Sequence, residues 1–341
     1  MPEFFFRAAV LYLTWIKNKE VKKNIVFGSL MMICLLFFTG VRAQEKPDTV
    51  TVGIYITSIH DIDFKQKEYT VTFWLWLHYK NKAFDFLQNL EVPQAKTVNK
   101  SFSTVDSSDG TISMQMKLQC VMKDSWRISN FPFDMQKLRL SIENSQYDSK
   151  SLVFAADTIG AHFDPRFTLN GWKIDSCIIS TGIKAYETAF GDRSLATPHT
   201  EYSSFRVRLG IRRDAGGLFW KMFLGMYIAF LIAYSCFYIH PDSIDSRFGL
   251  SVGSLFAVVG NKYIIDSALP ESASFTLVDT LHALTLFFIF SVVAATAYRL
   301  KLVKDNKIKA AGRFDMITAQ SLLLIFIVLN IFFITQANAG Q

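Results

Sequence analysis

Cysteine is scarce in this 341-residue chain. The four present, Cys34, Cys120, Cys177 and Cys236, have no spacing that reads as a disulfide framework. Cys34 and Cys236 sit in apolar runs, so only Cys120 and Cys177 could meet an oxidant. Cys120 alternates with Met114, Met116 and Leu118, the pattern of a buried free thiol. Also missing are a Cys/His cluster at metal-ligand spacing, a Gly-rich loop that could cradle a phosphate, and a nucleophile elbow. These absences argue against an enzyme and imply no cofactor and no metal. The chain has no internal repeat and no low-complexity linker. Its net charge of +7 falls to +3 without residues 1–43, which hold six Lys/Arg and two Asp/Glu. That surplus is not a nucleic-acid signature.

What the chain has in quantity is apolar side chains. Half of its residues are hydrophobic and its mean hydropathy is positive, which indicates a membrane protein with room for one soluble domain. Lys17, Lys19, Lys22 and Lys23 precede an apolar run over 25–38, and Val41-Arg42-Ala43 supplies small residues at a cleavage position. Residues 1–43 therefore read as a secretory signal peptide, with a retained signal anchor as the alternative.

Residues 44–213 follow a period of two. Val71, Phe73, Leu75 and Leu77 oppose Thr70, Thr72, Trp74 and Trp76; Leu138, Leu140 and Ile142 alternate with Lys137, Arg139 and Ser141; Phe205, Val207, Leu209 and Ile211 alternate with Arg206 and Arg208. Turn-rich breaks such as Ser107-Ser108-Asp109-Gly110 separate the runs, and no amphipathic helix intervenes. This predicts an all-β sandwich, immunoglobulin-like in build. Residues 214–341 then carry four spans, near 218–239, 244–265, 275–298 and 316–334, each about as long as a bilayer core requires. Arg299, Lys301, Lys304, Lys307, Lys309 and Arg313 crowd the connection between the third and fourth, which places that connection in the cytoplasm and the β-domain outside.

The second span differs from its neighbours. Over 247–270 it is rich in Gly, Ser, Asn and Lys, and a segment this polar at membrane depth faces water or protein rather than lipid. At helical spacing Gly249, Gly253, Phe256 and Gly260 form one stripe, which reads as the lining of a pore. Packing is the competing reading, because Gly249 and Gly253 also form a small-xxx-small contact.

A β-sandwich followed by four spans, the second of them polar, resembles the pentameric ligand-gated (Cys-loop) ion channel family. Phe131-Pro132-Phe133-Asp134 with Gln136 resembles that family's loop between two strands. The two cysteines that flank the loop in animal receptors would fall at Asp124 and Leu138, so the disulfide is absent, as in prokaryotic members. The proline usual in the first span is missing too. The resemblance implies a cyclic homopentamer in a bacterial inner membrane, with the β-domain in the periplasm or outside and no enzymatic activity. It implies that Asp134 pairs with Arg212 or Arg213 at the junction with the membrane, beside Lys65 between the first strands and Pro270 with Glu271 after the second span. It also implies an aromatic agonist cage, for which Tyr147, Tyr186, Phe190 and Tyr202 are the candidates.

The expectation is thus a ligand-gated channel, with a non-conducting membrane-anchored periplasmic receptor or binding module as the alternative. Rings of Asp245 and Asp266 would select cations. Phe256 would form the gate; if it packs instead, Ser251, Ser254 and Asn261 face the water. The agonist stays open: His60, His78, His162, His199, His240 and His282 permit proton sensing, scattered acids permit divalent ions, and the aromatics permit an amine.

Overall fold

Strand alternation builds two sheets whose apolar faces meet. A computed structural model describes residues 46–193, 195, 197–240 and 243–339. The expected signal peptide lies outside the described residues. Nine strands come first: β1 (Asp48–Asp63), β2 (Glu68–Tyr79), β3 (Leu90–Glu91), β4 (Ala95–Ser108), β5 (Thr111–Lys123), β6 (Met135–Asn144), β7 (Leu152–Ala156), β8 (Trp172–Tyr186) and β9 (Thr200–Arg213). They pair as a five-stranded sheet, β4-β5-β2-β1-β7, and a four-stranded sheet, β3-β6-β9-β8. Pairing is antiparallel except between β1 and β7.

The residues set apart by period two are the ones buried. Val71, Phe73, Leu75 and Leu77 of β2 face Leu138, Leu140 and Ile142 of β6 and Phe205, Val207, Leu209 and Ile211 of β9 in one apolar cluster. Each such side chain stabilises the fold by roughly 1.5–3 kcal/mol relative to exposure. Gly53 of β1 is glycine for a reason of space, because a Cβ there would lie 2.3 Å from the indole of Trp76, which crosses the strand to donate to Asp157 at 2.9 Å.

One helix interrupts the strands. The turn α1 (Phe86–Asn89) is capped by Asp85, whose side chain accepts from the backbone of Leu87 and Gln88. A single turn is too short to leave a helical period in sequence.

Four long helices follow: α2 (Ala215–Tyr234), which tightens into a 3-10 turn over Ser235–Tyr238, α3 (Ile244–Ala268), α4 (Leu277–Lys304) and α5 (Ile308–Ala339). All four are long and apolar enough to cross a membrane, as in a multi-pass protein. α4 and α5 run well past the apolar spans read from sequence. Hydropathy marks only the part of a helix that faces hydrocarbon, whereas Lys301, Lys304 and Lys309 continue the helices with their charges in water. Only three residues, 305–307, separate α4 from α5.

Candidate functional site

The loop between β5 and β6, residues 124–134, leaves the sandwich core and enters the helices. Its Ile128 and Phe131 belong to the same apolar cluster as Phe219 and Phe223 of α2, Val258 and Ile265 of α3, and Leu277 and Leu281 of α4. Phe133 packs on Phe219 with ring centroids 5.6 Å apart, and Phe131–Pro132 is a cis peptide. Leu277, the first residue of α4, donates its backbone N–H to the carbonyl of Ser129 at 2.8 Å. The loop thus touches α2 and α4 directly and shares an apolar cluster with α3.

At its end Asp134 is buried and meets Arg213, with Nε to Oδ1 at 2.7 Å and a second contact, Nη2 to Oδ2, at 3.2 Å. The strand register explains the choice between the two arginines. Arg213 shares parity with the buried Phe205, Val207, Leu209 and Ile211, so its side chain turns inward. Arg212 turns to the opposite face and pairs with Asp175 at 3.0 Å. It is not the partner of Asp134. Gln136 completes the motif: its amide donates to Asp134 at 2.6 Å and to the carbonyl of Arg127 at 2.8 Å, and its oxygen accepts from the N–H of Arg127 at 3.0 Å.

The Arg213 guanidinium is also enclosed by three rings, with centroids 4.0 Å away for Trp172, 4.6 Å for Phe64 and 4.8 Å for Phe131. Each contact contributes about 0.5–2 kcal/mol. Phe64 and Trp172 escaped sequence reasoning because they come from a turn and a strand far apart in the chain. Lys65, next to Phe64, is exposed, while Pro270 is buried and lines a small cavity with Ile128. At the base of the loop, where a family disulfide would be expected, Asp124 forms an ion pair with Arg139 instead. Among the described residues Cys120, Cys177 and Cys236 are all free, and burial pushes the Cys120 thiol up to about 12.

Helix α3 divides into two faces. Arg247, Ser251, Ser254, Val258 and Ile265 are buried against the other helices. Ser251 and Ser254 donate to carbonyls one turn back, at 3.0 and 2.8 Å. The opposite face carries Phe256, 72% exposed, and Gly249, Gly253 and Gly260, at each of which an added Cβ would find no atom of the chain within 4 Å. Among the described residues, the glycine stripe therefore packs on no other helix of its own subunit. Asn261 is not on that face, since it donates to the carbonyl of Met222 at 3.1 Å and faces Nε2 of His282 at 3.0 Å.

The charges of α3 separate in the same way. Asp245 is exposed in the first turn. Asp266 is tied to Lys262 at 2.6 Å, and Lys262 reaches Asp279 at 2.8 Å, so Asp266 is not a free carboxylate. Arg247 is buried with Arg299 of α4 and Asp315 of α5. Asp315 meets Arg247 at 3.5 Å and also pairs with Arg299, which joins three helices through one carboxylate.

In the hairpin between β8 and β9, Tyr186, Phe190 and Tyr202 meet edge to face, with centroids 5.5, 5.9 and 6.1 Å apart. Phe190 is exposed, and Tyr186 donates to the buried Glu143 at 2.7 Å. Burial, and then that hydrogen bond, push the Tyr186 phenol up. Tyr147 does not join them directly: it packs on Phe84 at 4.8 Å and donates to the carbonyl of Ala83 at 3.1 Å.

No family profile matches the chain. Curated proteins do. The chain is 18% identical over 276 residues to a gamma-aminobutyric acid receptor subunit beta of Caenorhabditis elegans, covering 72% of this chain and 47% of that one. It is 22% identical over 292 residues to the acetylcholine-gated chloride channel subunit acc-2 of the same organism, covering 78% and 64%. It is 25% identical over 168 residues to an acetylcholine receptor subunit epsilon of Bos taurus, covering 39% and 34%. The chain is similar to Cys-loop receptor subunits. It spans about half the length of the relatives it matches. The strand-then-helix architecture is that of Cys-loop receptors, and here the corresponding loop closes with an ion pair.

Proposed function

We propose that this chain is one subunit of a homopentameric ligand-gated ion channel, in which five copies of α3 surround a pore across a lipid bilayer and the strands form an agonist sensor outside it. The observation that carries the reading is the division of α3. A helix with the length to cross a membrane turns glycine and one exposed phenylalanine away from the other described helices, which suits a lumen shared with other copies.

Phe256 is the proposed gate, since five rings on a stripe of glycines would form an apolar neck that excludes hydrated ions until the helices move. Selectivity is proposed to be cationic and to rest on Asp245 alone, because Lys262 neutralises Asp266. One relative is by name a chloride channel, so this assignment needs its own test. The agonist is proposed to be a cationic amine held by Tyr186, Phe190 and Tyr202 near the Glu143 carboxylate. The ligands in the relatives' names, acetylcholine and gamma-aminobutyric acid, both carry a positive nitrogen. A bacterial inner membrane with the strands in the periplasm fits the signal-peptide and loop-charge patterns. Arg213 and Asp134 would join sensor to pore.

Purified protein in liposomes, screened with amines, protons and divalent ions, tests the reading. Agonist-evoked currents whose reversal follows the sodium gradient support it. Reversal along the chloride gradient removes the Asp245 assignment. Well-folded protein that passes no ions under any agonist leaves the non-conducting receptor.

A further inference from the structure

Beside the aromatic hairpin, the four-stranded sheet, β5 and the β1–β2 turn line an open cavity of about 720 Å3. Its wall carries six Lys/Arg but only two carboxylates, and both carboxylates are committed. Asp124 holds Arg139, and Glu143 accepts from Tyr186. A fifth cation of the wall, Lys123, pairs with Glu68 at 2.9 Å. Lys67, Lys184, Arg206 and Arg208 have no ion-pair partner among the described residues. Arg206 spends two donors on neutral oxygens, of Ile183 at 3.0 Å and of Ser204 at 3.4 Å, and keeps its charge uncompensated. The four come from the β1–β2 turn, β8 and β9, so the fold rather than one run of sequence brings them to the same concavity.

We propose that this cavity binds a small polyanion through its carboxylate or phosphate oxygens, on the cationic side of a wall whose Tyr186 and Glu143 also border the amine cage. Guanidinium groups match oxyanions in bidentate geometry, and a concave wall of one sign focuses its field on the space inside. The volume suits a compact multivalent acid rather than a lone halide. The site does not depend on the chain's conducting ions.

Calorimetry and thermal melting of the purified full chain, with inorganic phosphate and with citrate as probes at matched ionic strength in chloride, test this. The expected result is saturable binding of at least one probe, absent with chloride. Phosphate binding alone would identify a phosphate site and citrate alone a carboxylate site. R206Q should weaken binding by about tenfold or more, the worth of a charge-assisted contact. K184Q and R208Q remove exposed charges and provide the same reading should R206Q not fold. Shifts no larger than those of chloride, or shifts retained in all three variants, overturn the proposal. So does a result in which the variants loosen subunit association and leave probe binding unchanged, because the cations would then serve a contact between copies.

Discussion

At the scale of single residues, the pair of Asp134 and Arg213 is the most exacting contact in the molecule, since it buries opposite charges under a ceiling of aromatic rings. Asp134→Asn leaves the guanidinium buried without a counter-charge and should lower stability by about 3–5 kcal/mol in chemical denaturation of the solubilised protein. The exchange D134R/R213D should not restore it, because Trp172, Phe64 and Phe131 attract a cation and repel a carboxylate. A D134N protein that folds with unaltered agonist dose-response would take the junction out of gating. His199 gives a second test. It lies 3.3 Å from Glu201 and 3.5 Å from Glu187, and Glu201 chiefly holds its pKa above the ordinary 6.5. A raised folded-state pKa means the link is fully present below 6.5 and lost as pH climbs through the higher value. Once the intrinsic base catalysis of exchange is divided out, protection of the paired Tyr186 and Thr200 amides should therefore be greater at about pH 6 than at about pH 9, and H199Q should erase that difference in protection. Part of this was legible in the sequence: Phe-Pro-Phe-Asp pointed to the junction, but Arg212 and Arg213 both stayed open as the partner of Asp134 until the strand register placed them. The ring cage was not, because Phe64, Phe131 and Trp172 converge only through tertiary packing.

At the scale of elements, α3 combines an inner face fixed by packing with an outer face free of it. Phe256→Ala removes no contact with another helix of the subunit, so it should leave melting temperature nearly unchanged while raising resting current in liposomes. Lower expression with an unchanged leak would assign the ring to packing between copies. Asp315 makes the opposite prediction. Asp315→Asn strands Arg247 and Arg299 in a buried site and should destabilise α3, α4 and α5 together, by about 3–5 kcal/mol, seen as a large fall in the melting temperature in detergent. The strands and spans were readable because period two and long apolar runs are local signals. The two faces of α3 were readable in part: helical spacing isolated the glycine stripe, but the partners of Lys262 and Arg247 depend on how neighbouring helices dock. The extra helical turns beyond 298 and before 316 were hidden, because charge in water gives no hydropathy signal.

At the scale of the whole molecule, the proposed channel requires several copies of the subunit, since one α3 cannot enclose water. Native mass spectrometry in mild detergent should find five copies; monomers and dimers alone would contradict the arrangement. The order of strands, then loop, then helices was legible from one end of the chain to the other, whereas the number of copies came from resemblance and is written in no single residue pattern. One consequence of the divided α3 concerns descent rather than mechanics. The residues that hold the helix in its subunit, Arg247, Ser251, Ser254, Val258 and Ile265, share no position with Asp245, Gly249, Gly253, Phe256 and Gly260. Changes on the second set leave the first set's packing intact, so in the proposed channel a lineage can exchange one permeant ion for another by a few substitutions without first passing through a misfolded ancestor.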